Sequence, residues 1–484
     1  GSEMCIRDRD KRGKIMFKMK VDLTKDPILK SLLIFAFPLF VANVFQQLYN
    51  TMDTMIVGNF LGDTSLAAIG ACGAIYELLV GFALGVGNGL SIVTARSFGA
   101  KDENLLKKSV AGSIVIGILL TIILMLFSQF CLYPLLELLN TPANIINEAY
   151  DYIFMITIFV GVMFAYNLCA GLLRAIGNSV MPLVFLLISS VLNVGLDLLF
   201  ITQFNMGIQG AAIATVIAQG VSAILCFYYI YKKCPILLPH KEHFKISREL
   251  YQELAGQGFS MGLMMSIVST GTVILQTAIN KFGYLIIAGH VTARKLNSFC
   301  MMPAATLGLA LSTFVSQNKG ANQGLRIRQG VRYANLIAVG WSVIATVVLF
   351  FIAPTLVQLL SGSSSAVVID NGSLYLMLNA PFYCMLGILL NLRNSLQGLG
   401  RKIIPLVSSI IEFIGKIVFV WLFIPLLGYF GVIICEPVIW CCMCLQLAYS
   451  FYRDPYIKEY RNIKKEAVTV SYTHLRAHET SLHL

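Results

Sequence analysis

Residues 180–202 read VMPLVFLLISSVLNVGLDLLFIT. The run is long and apolar enough to cross a bilayer as one helix, which needs about 20 residues. It is broken only by Ser189, Ser190, Asn193, Asp197 and Thr202. Asn193 and Asp197 are four residues apart, so they share one helix face a turn apart. A carboxylate at membrane depth costs on the order of 2.5–3.5 kcal/mol on insertion scales. The stretch therefore poses a spanning helix with a polar patch that needs a reason.

Outward from this stretch the same pattern recurs. The chain is 57% hydrophobic and only 12% charged, with mean hydropathy +0.76, whereas soluble domains carry about 25% charged residues. Twelve apolar segments fall near 32–57, 66–94, 110–134, 148–172, 181–202, 208–231, 255–280, 286–315, 331–352, 373–395, 403–425 and 429–451. The expected fold class is an all-α polytopic membrane protein with twelve transmembrane helices. The long polar interruption at 231–249 lies at the midpoint and reads as a linker between two six-helix halves.

The halves repeat. Gly62 pairs with Gly283, Gly99–Ala100 with Gly320–Ala321, and Gly207/Gly210 with Gly428/Gly431, each 221 residues apart (283 − 62, 320 − 99, 428 − 207). Gly177 and Pro182 pair with Gly400 and Pro405 at 223. Six is an even number of spans, so both bundles enter from one side, and the repeat is parallel. The expected organisation is a leader to residue 15, a first bundle over 16–231, a linker over 232–249, a second bundle over 250–455 and a tail over 456–484.

The ends differ in composition. EMCIRD (residues 3–8) and VSYTHLRAHET (470–480) resemble translated sequencing adapter in opposite senses, so 1–15 and the tail from about 468 are set aside, and Met16 or Met19 is the expected natural start.

The formal charge is +12, which raises the question of a nucleic-acid partner. Its distribution points elsewhere. Sixteen Lys and Arg, from Arg96 and Lys101 through Lys232–Arg248 to Arg401 and Lys402, fall on one side of the spans, and only Lys281 falls on the other. By the positive-inside rule the rich side is cytoplasmic, with both termini inside, in a bacterial-type inner membrane. No nucleic-acid partner is expected. The cysteines lie mostly in apolar stretches, without a CxxC or a Cys/His cluster at metal spacing, and read as small buried apolar residues.

Depth sorts the polar residues. Asp53 lies about 7–8 Å below the outer end of the first helix, Asp197 about 9 Å below that of the fifth, and Thr215 about 12 Å below that of the sixth. With Asn193 they place two carboxylates, an amide oxygen and a hydroxyl in one layer. These are hard oxygen ligands for a hard cation, and paired carboxylates equally suit a proton. For each residue a private hydrogen bond inside the bundle is the plainer alternative. Glu77, Arg294, Glu412 and Lys416 are candidate cavity or gating residues. Glu412 and Lys416, at i and i+4, read as an ion pair, and Glu77 and Arg294 as a pair across the halves.

PLFVANVFQQLYNTMDTMIVGNFLG, RAIGNSVMPL, LNVGLDLLF and GIQGAAIAT (38–62, 174–183, 192–200, 207–215) together resemble the multidrug and toxic compound extrusion (MATE) family, over about residues 25–455. The resemblance implies two six-helix bundles forming a V with substrate in a central cavity. It implies an antiporter exporting organic, often cationic, small molecules in exchange for H⁺ or Na⁺ by alternating access. In archaeal and related bacterial members an Asp of the first helix, an Asn and Asp of the fifth and a Thr of the sixth hold the cation. By position these are Asp53, Asn193, Asp197 and Thr215. Members of another branch carry acidic residues in the seventh and tenth helices, but 255–280 and 373–395 contain no Asp or Glu here. Cation entry would bend or shift the first helix, where Pro38 removes a backbone hydrogen bond.

The expected protein is no enzyme, since no metal set or Ser/His or Ser/Lys pair marks a membrane-embedded active site. It has no cofactor beyond the coupling ion, no metal beyond Na⁺ at that site, small molecules and lipids as partners, and a monomeric state. The ion reading inclines to H⁺, because an Asn and a Thr add little to cation dehydration. A lipid-linked sugar flippase stays open as the alternative, through Arg294, Lys295, Arg393 and Lys416.

Overall fold

The computed structural model describes residues 21–139 and 141–460. The adapter-like stretches, with Met16 and Met19, lie outside the described residues.

The first half consists of α1 (Ile28–Leu61), α2 (Asp63–Gly99), α3 (Glu103–Leu138), α4 (Ile146–Ile158), α5 (Val160–Ala175), α6 (Val180–Leu198) and α7 (Gly207–Lys233). The second consists of α8 (Arg248–Ile279), α9 (Tyr284–Gly320), α10 (Gly324–Ser361), α11 (Ala366–Asn379), α12 (Tyr383–Gly398), α13 (Ile403–Val418), α14 (Ile424–Leu427) and α15 (Tyr429–Arg453). Eleven helical spans are long and apolar enough to cross a membrane, and a twelfth follows from α4 and α5, bent by 48° at Phe159. This is the expected multi-pass membrane fold of two repeated six-helix bundles.

Local backbone repeats with the sequence. Gly62 and Gly283 have φ 88° and 85°, Gly177 and Gly400 have 86° and 78°, and Gly207 and Gly428 both have 61°. This left-handed region is cheap for glycine, so the paired glycines mark paired turns. Lys101 and Asn322, 221 apart, share φ 58° and 57° without being glycine. Both α6 and α13 run into a π turn, Leu199–Gln203 and Phe419–Phe423. Apolar periodicity does not reveal such a turn.

The 234–247 stretch holds two short 3₁₀ turns, and its Leu237 is buried against the first half. Ser247 caps α8 by accepting from the Leu250 N–H at 3.3 Å.

The seam between halves is made mainly by α2 against α8 and α9, with α1 against α9. Glycines allow near contact of backbones there: a Cβ built on Gly99 would meet the Gln317 carbonyl oxygen at 1.9 Å, and one on Gly320 would meet that of Arg96 at 2.0 Å. Hydrogen bonds across the seam cluster at the Lys/Arg-rich end. Ser316 Oγ donates to the Ile92 carbonyl at 2.6 Å and Gln317 Nε2 to that of Ala175 at 2.7 Å. Arg96 pairs with Glu253. Asn318 and Arg326 donate to the Leu23 carbonyl ahead of α1, and Arg326 also to that of Asp26. The remaining cross-seam bonds sit at mid-height, Asn43 to Thr306 at 2.9 Å and Ser266 to the Leu78 carbonyl at 3.3 Å. Among the described residues no such bond joins the Lys/Arg-poor ends.

Candidate functional site

Three helices of the first half deliver the oxygen layer. Asp53 on α1, Asn193 and Asp197 on α6 and Thr215 on α7 come together, at 9%, 0%, 0% and 8% exposure. Asp53 and Asp197 sit on neighbouring helices, α1 and α6. Asn193 bridges α6 and α7. With its Nδ2 donating to Asp197 Oδ2 at 2.9 Å, its Oδ1 accepts from the Thr215 N–H at 3.2 Å, and both amide atoms are satisfied. Turned over, the amide donates to Thr215 Oγ1 at 3.3 Å instead. Asp53 Oδ1 and Asp197 Oδ1 are buried and make no hydrogen bond. Two buried carboxylate oxygens with spare lone pairs, beside the Asn193 amide, can take up a proton or a small cation.

The layer opens into a cavity of about 630 Å³ enclosed by α1, α2, α4, α5 and α7. Its lining includes Asp53, Glu77, Tyr49, Tyr76, Tyr152 and Tyr166, and holds no Lys, Arg or His. Tyr49 sits one turn before Asp53, and its OH lies 3.4 Å from Thr215 Oγ1. The sequence reading expected Met-, Phe- and Tyr-rich cavity walls but singled out none of these tyrosines. The one available signal was helical phase, since Tyr49 and Asp53 are i and i+4.

Glu77 does not pair with Arg294. Glu77 lines the first-half cavity, while Arg294 Nη1 donates to Glu436 Oε1 at 3.0 Å on α15. Charge and height along the membrane suit both partners. The rotation of α9 decides, and it turns Arg294 into its own half. Tyr375 donates to the other oxygen, Glu436 Oε2, at 3.0 Å. Lys416 Nζ lies 2.9 Å from Glu412 Oε1. Arg393 Nη2 lies 3.8 Å from Glu412 Oε2, and Lys295 is exposed. Among the described residues no group of three or more His, Cys, Asp or Glu is placed to hold a metal.

Two pseudo-symmetric six-helix bundles, with a polar cavity at membrane depth in the first, define a membrane transporter and not an enzyme. The MatE family model matches residues 38–199 and 261–422, one match in each half. The probable multidrug resistance protein YoeA of Bacillus subtilis is 30% identical over 316 residues, covering 64% of this chain and 68% of that protein. The probable multidrug resistance protein YpnP of the same organism is 27% identical over 414 residues, 85% of this chain and 92% of that protein. A crystal structure of a MATE protein in the bent conformation superposes with TM-score 0.84 at 20% identity, over 92% of this chain and 99% of that one. The chain belongs to the MatE family of multidrug and toxic compound extrusion transporters.

Proposed function

We propose that this protein is a secondary antiporter that exports organic, often cationic small molecules in exchange for H⁺ or Na⁺ bound at Asp53, Asn193, Asp197 and Thr215. The observation that carries the reading is the cavity: acidic, tyrosine-lined, without a cationic side chain, and opening onto Asp53. Such walls suit amphipathic cations, by charge and by cation–π contact. The names of its relatives, which speak of multidrug resistance and export, agree with it.

The coupling follows from competition. A cation shared by Asp53 and Asp197 neutralises the carboxylate that a cationic substrate would use, so ion uptake favours substrate release. α1 carries the signal. It bears Asp53 in the first half, is tied to the second half by Asn43–Thr306, and contains Pro38, which leaves one backbone hydrogen bond unmade. The sealed Lys/Arg-rich end and the unbonded opposite end support an outward-open state with both termini cytoplasmic in the cell membrane, and we take the transporter to act as a monomer.

The flippase reading asks for a cationic cavity. Arg294 and Lys416 are instead bound to glutamates and Arg393 sits beside Glu412, which leaves that reading weaker support. Proteoliposomes with separately imposed Na⁺ and pH gradients test the proposal. Export of a fluorescent organic cation driven by one of the gradients is expected, and export by neither would overturn it.

A further inference from the structure

The second half contains a buried charge cluster that the transport reading does not use. Glu436 is held by Arg294 and Tyr375, and Glu412 by Lys416. Lys416 also donates to Thr272 Oγ1 at 3.1 Å and is 2% exposed. Arg393 Nε donates to Ser408 Oγ at 3.0 Å, and its buried Nη2 makes no hydrogen bond. Three cations thus face two carboxylates, a surplus of one positive charge.

The repeat shows where these groups stand. Asn193 and Lys416 lie 11 residues past the paired prolines Pro182 and Pro405, and the earlier π turn of α13 begins only after Lys416. Thr215 and Glu436 lie 8 residues past the paired glycines Gly207 and Gly428. Gly73 and Arg294 lie 11 residues past Gly62 and Gly283, and Gly73 lines the first-half cavity. Asp53 and Ile274 lie 9 residues before those same glycines. At matched positions the first half has oxygen ligands, a carboxylate and an open wall. The second half has an ammonium, a carboxylate already bound by a guanidinium, and an isoleucine.

We infer that the second half carries a self-filled counterpart of the ion site, in which Lys416, with Arg294 beside it, is a tethered cation standing where the first half takes an exchangeable one. The first half cycles between empty and loaded. The second half keeps a cation in place throughout, so each cycle exchanges ions at one site only. The ligand that Lys416 replaces is a monovalent cation, seated between Glu412 and Thr272. This rests on the assignment of the exchangeable ion to Asp53 and Asp197.

The test uses the full-length protein with five variants. Lys416→Met keeps length and removes charge: with Arg393 still beside Glu412 it is expected to fold, at reduced thermal stability, and to lose transport at least tenfold, while Lys416→Arg retains most of it. Lys416→Ala is expected to lose transport and to regain it with millimolar ethylammonium, but not with ethanol, and this rescue decides the matter if Lys416→Met does not fold. Transport by Lys416→Met at the wild-type level, or equal rescue by ethanol, would overturn the inference and leave the first-half site standing. Ion binding by purified protein separates the two claims further. It should vanish in Asp53→Asn/Asp197→Asn. Binding that persists there and disappears on adding Glu412→Gln would show that the second half exchanges ions, which overturns the inference. Binding that persists in both would overturn the first-half assignment on which it rests.

Discussion

Replacing Gly99 by alanine tests whether the glycine seam sets the conformational equilibrium. The added Cβ would lie 1.9 Å from the Gln317 carbonyl oxygen and 2.6 Å from its carbonyl carbon. Both are backbone atoms, so no side chain can swing aside, and α2 and α9 must part by about 1 Å or more. Overpacking of this kind costs roughly 1–3 kcal/mol. The gain in helix propensity from Gly to Ala applies in both states and cancels in the equilibrium between them. The state sealed at the Lys/Arg-rich end should therefore lose about 5- to 150-fold in population against the state open there. Hydrogen exchange read by mass spectrometry is a suitable assay, because amides of 92–99 and 313–320 are buried at the seam only while it is closed. Exchange there should rise in Gly99→Ala and in its repeat partner Gly320→Ala. Gly70→Ala is the control, since nothing lies within 4 Å of its added Cβ. Wild-type exchange in both seam variants would refute the role given to the seam.

Asp53→Asn and Asp197→Asn should each abolish gradient-driven export while leaving substrate binding measurable, because an amide keeps the shape but neither releases a proton nor lends charge; unchanged coupled export in either would make that residue structural. Thr215→Val should weaken coupling about 2- to 10-fold, as expected for one neutral hydrogen-bonding group among several, and a larger loss than in the Asp variants would contradict the ranking. Glu436→Gln should lower stability by roughly 3–5 kcal/mol, since it strips Arg294 of its buried partner, and thermal unfolding in detergent measures it. Trypsin should cut at the exposed Lys241 and Lys245 in inside-out vesicles and not in right-side-out ones, and the reverse pattern would invert the topology.

The spans, the parallel repeat and the height of each polar residue were legible in the sequence because all three are properties of position along a chain of apolar helices. Asp53, Asn193, Asp197 and Thr215 could be grouped for the same reason: they share a height, and α1, α6 and α7 are neighbours in one bundle. What height does not give is azimuth. Arg294 and Glu77 suit each other in charge, yet α9 is rotated so that Arg294 meets Glu436, 142 residues away. The π turn after Asp197 was hidden for a related reason, since one extra residue in a turn leaves no mark in composition. Azimuth was recoverable through the repeat. Counted from the paired glycines and prolines, Lys416 falls on Asn193, Glu436 on Thr215 and Arg294 on Gly73. Had the halves been compared residue by residue, the first-half cavity wall at Gly73 would have placed Arg294 inside the second bundle, beside Glu436. On the ion assignment proposed above, the same comparison gives a reason for one half to take an ion and the other not. The two bundles keep one backbone, and the difference is carried by a few side chains: Ile274 in place of Asp53 removes a carboxylate, and Lys416 in place of Asn193 adds an ammonium.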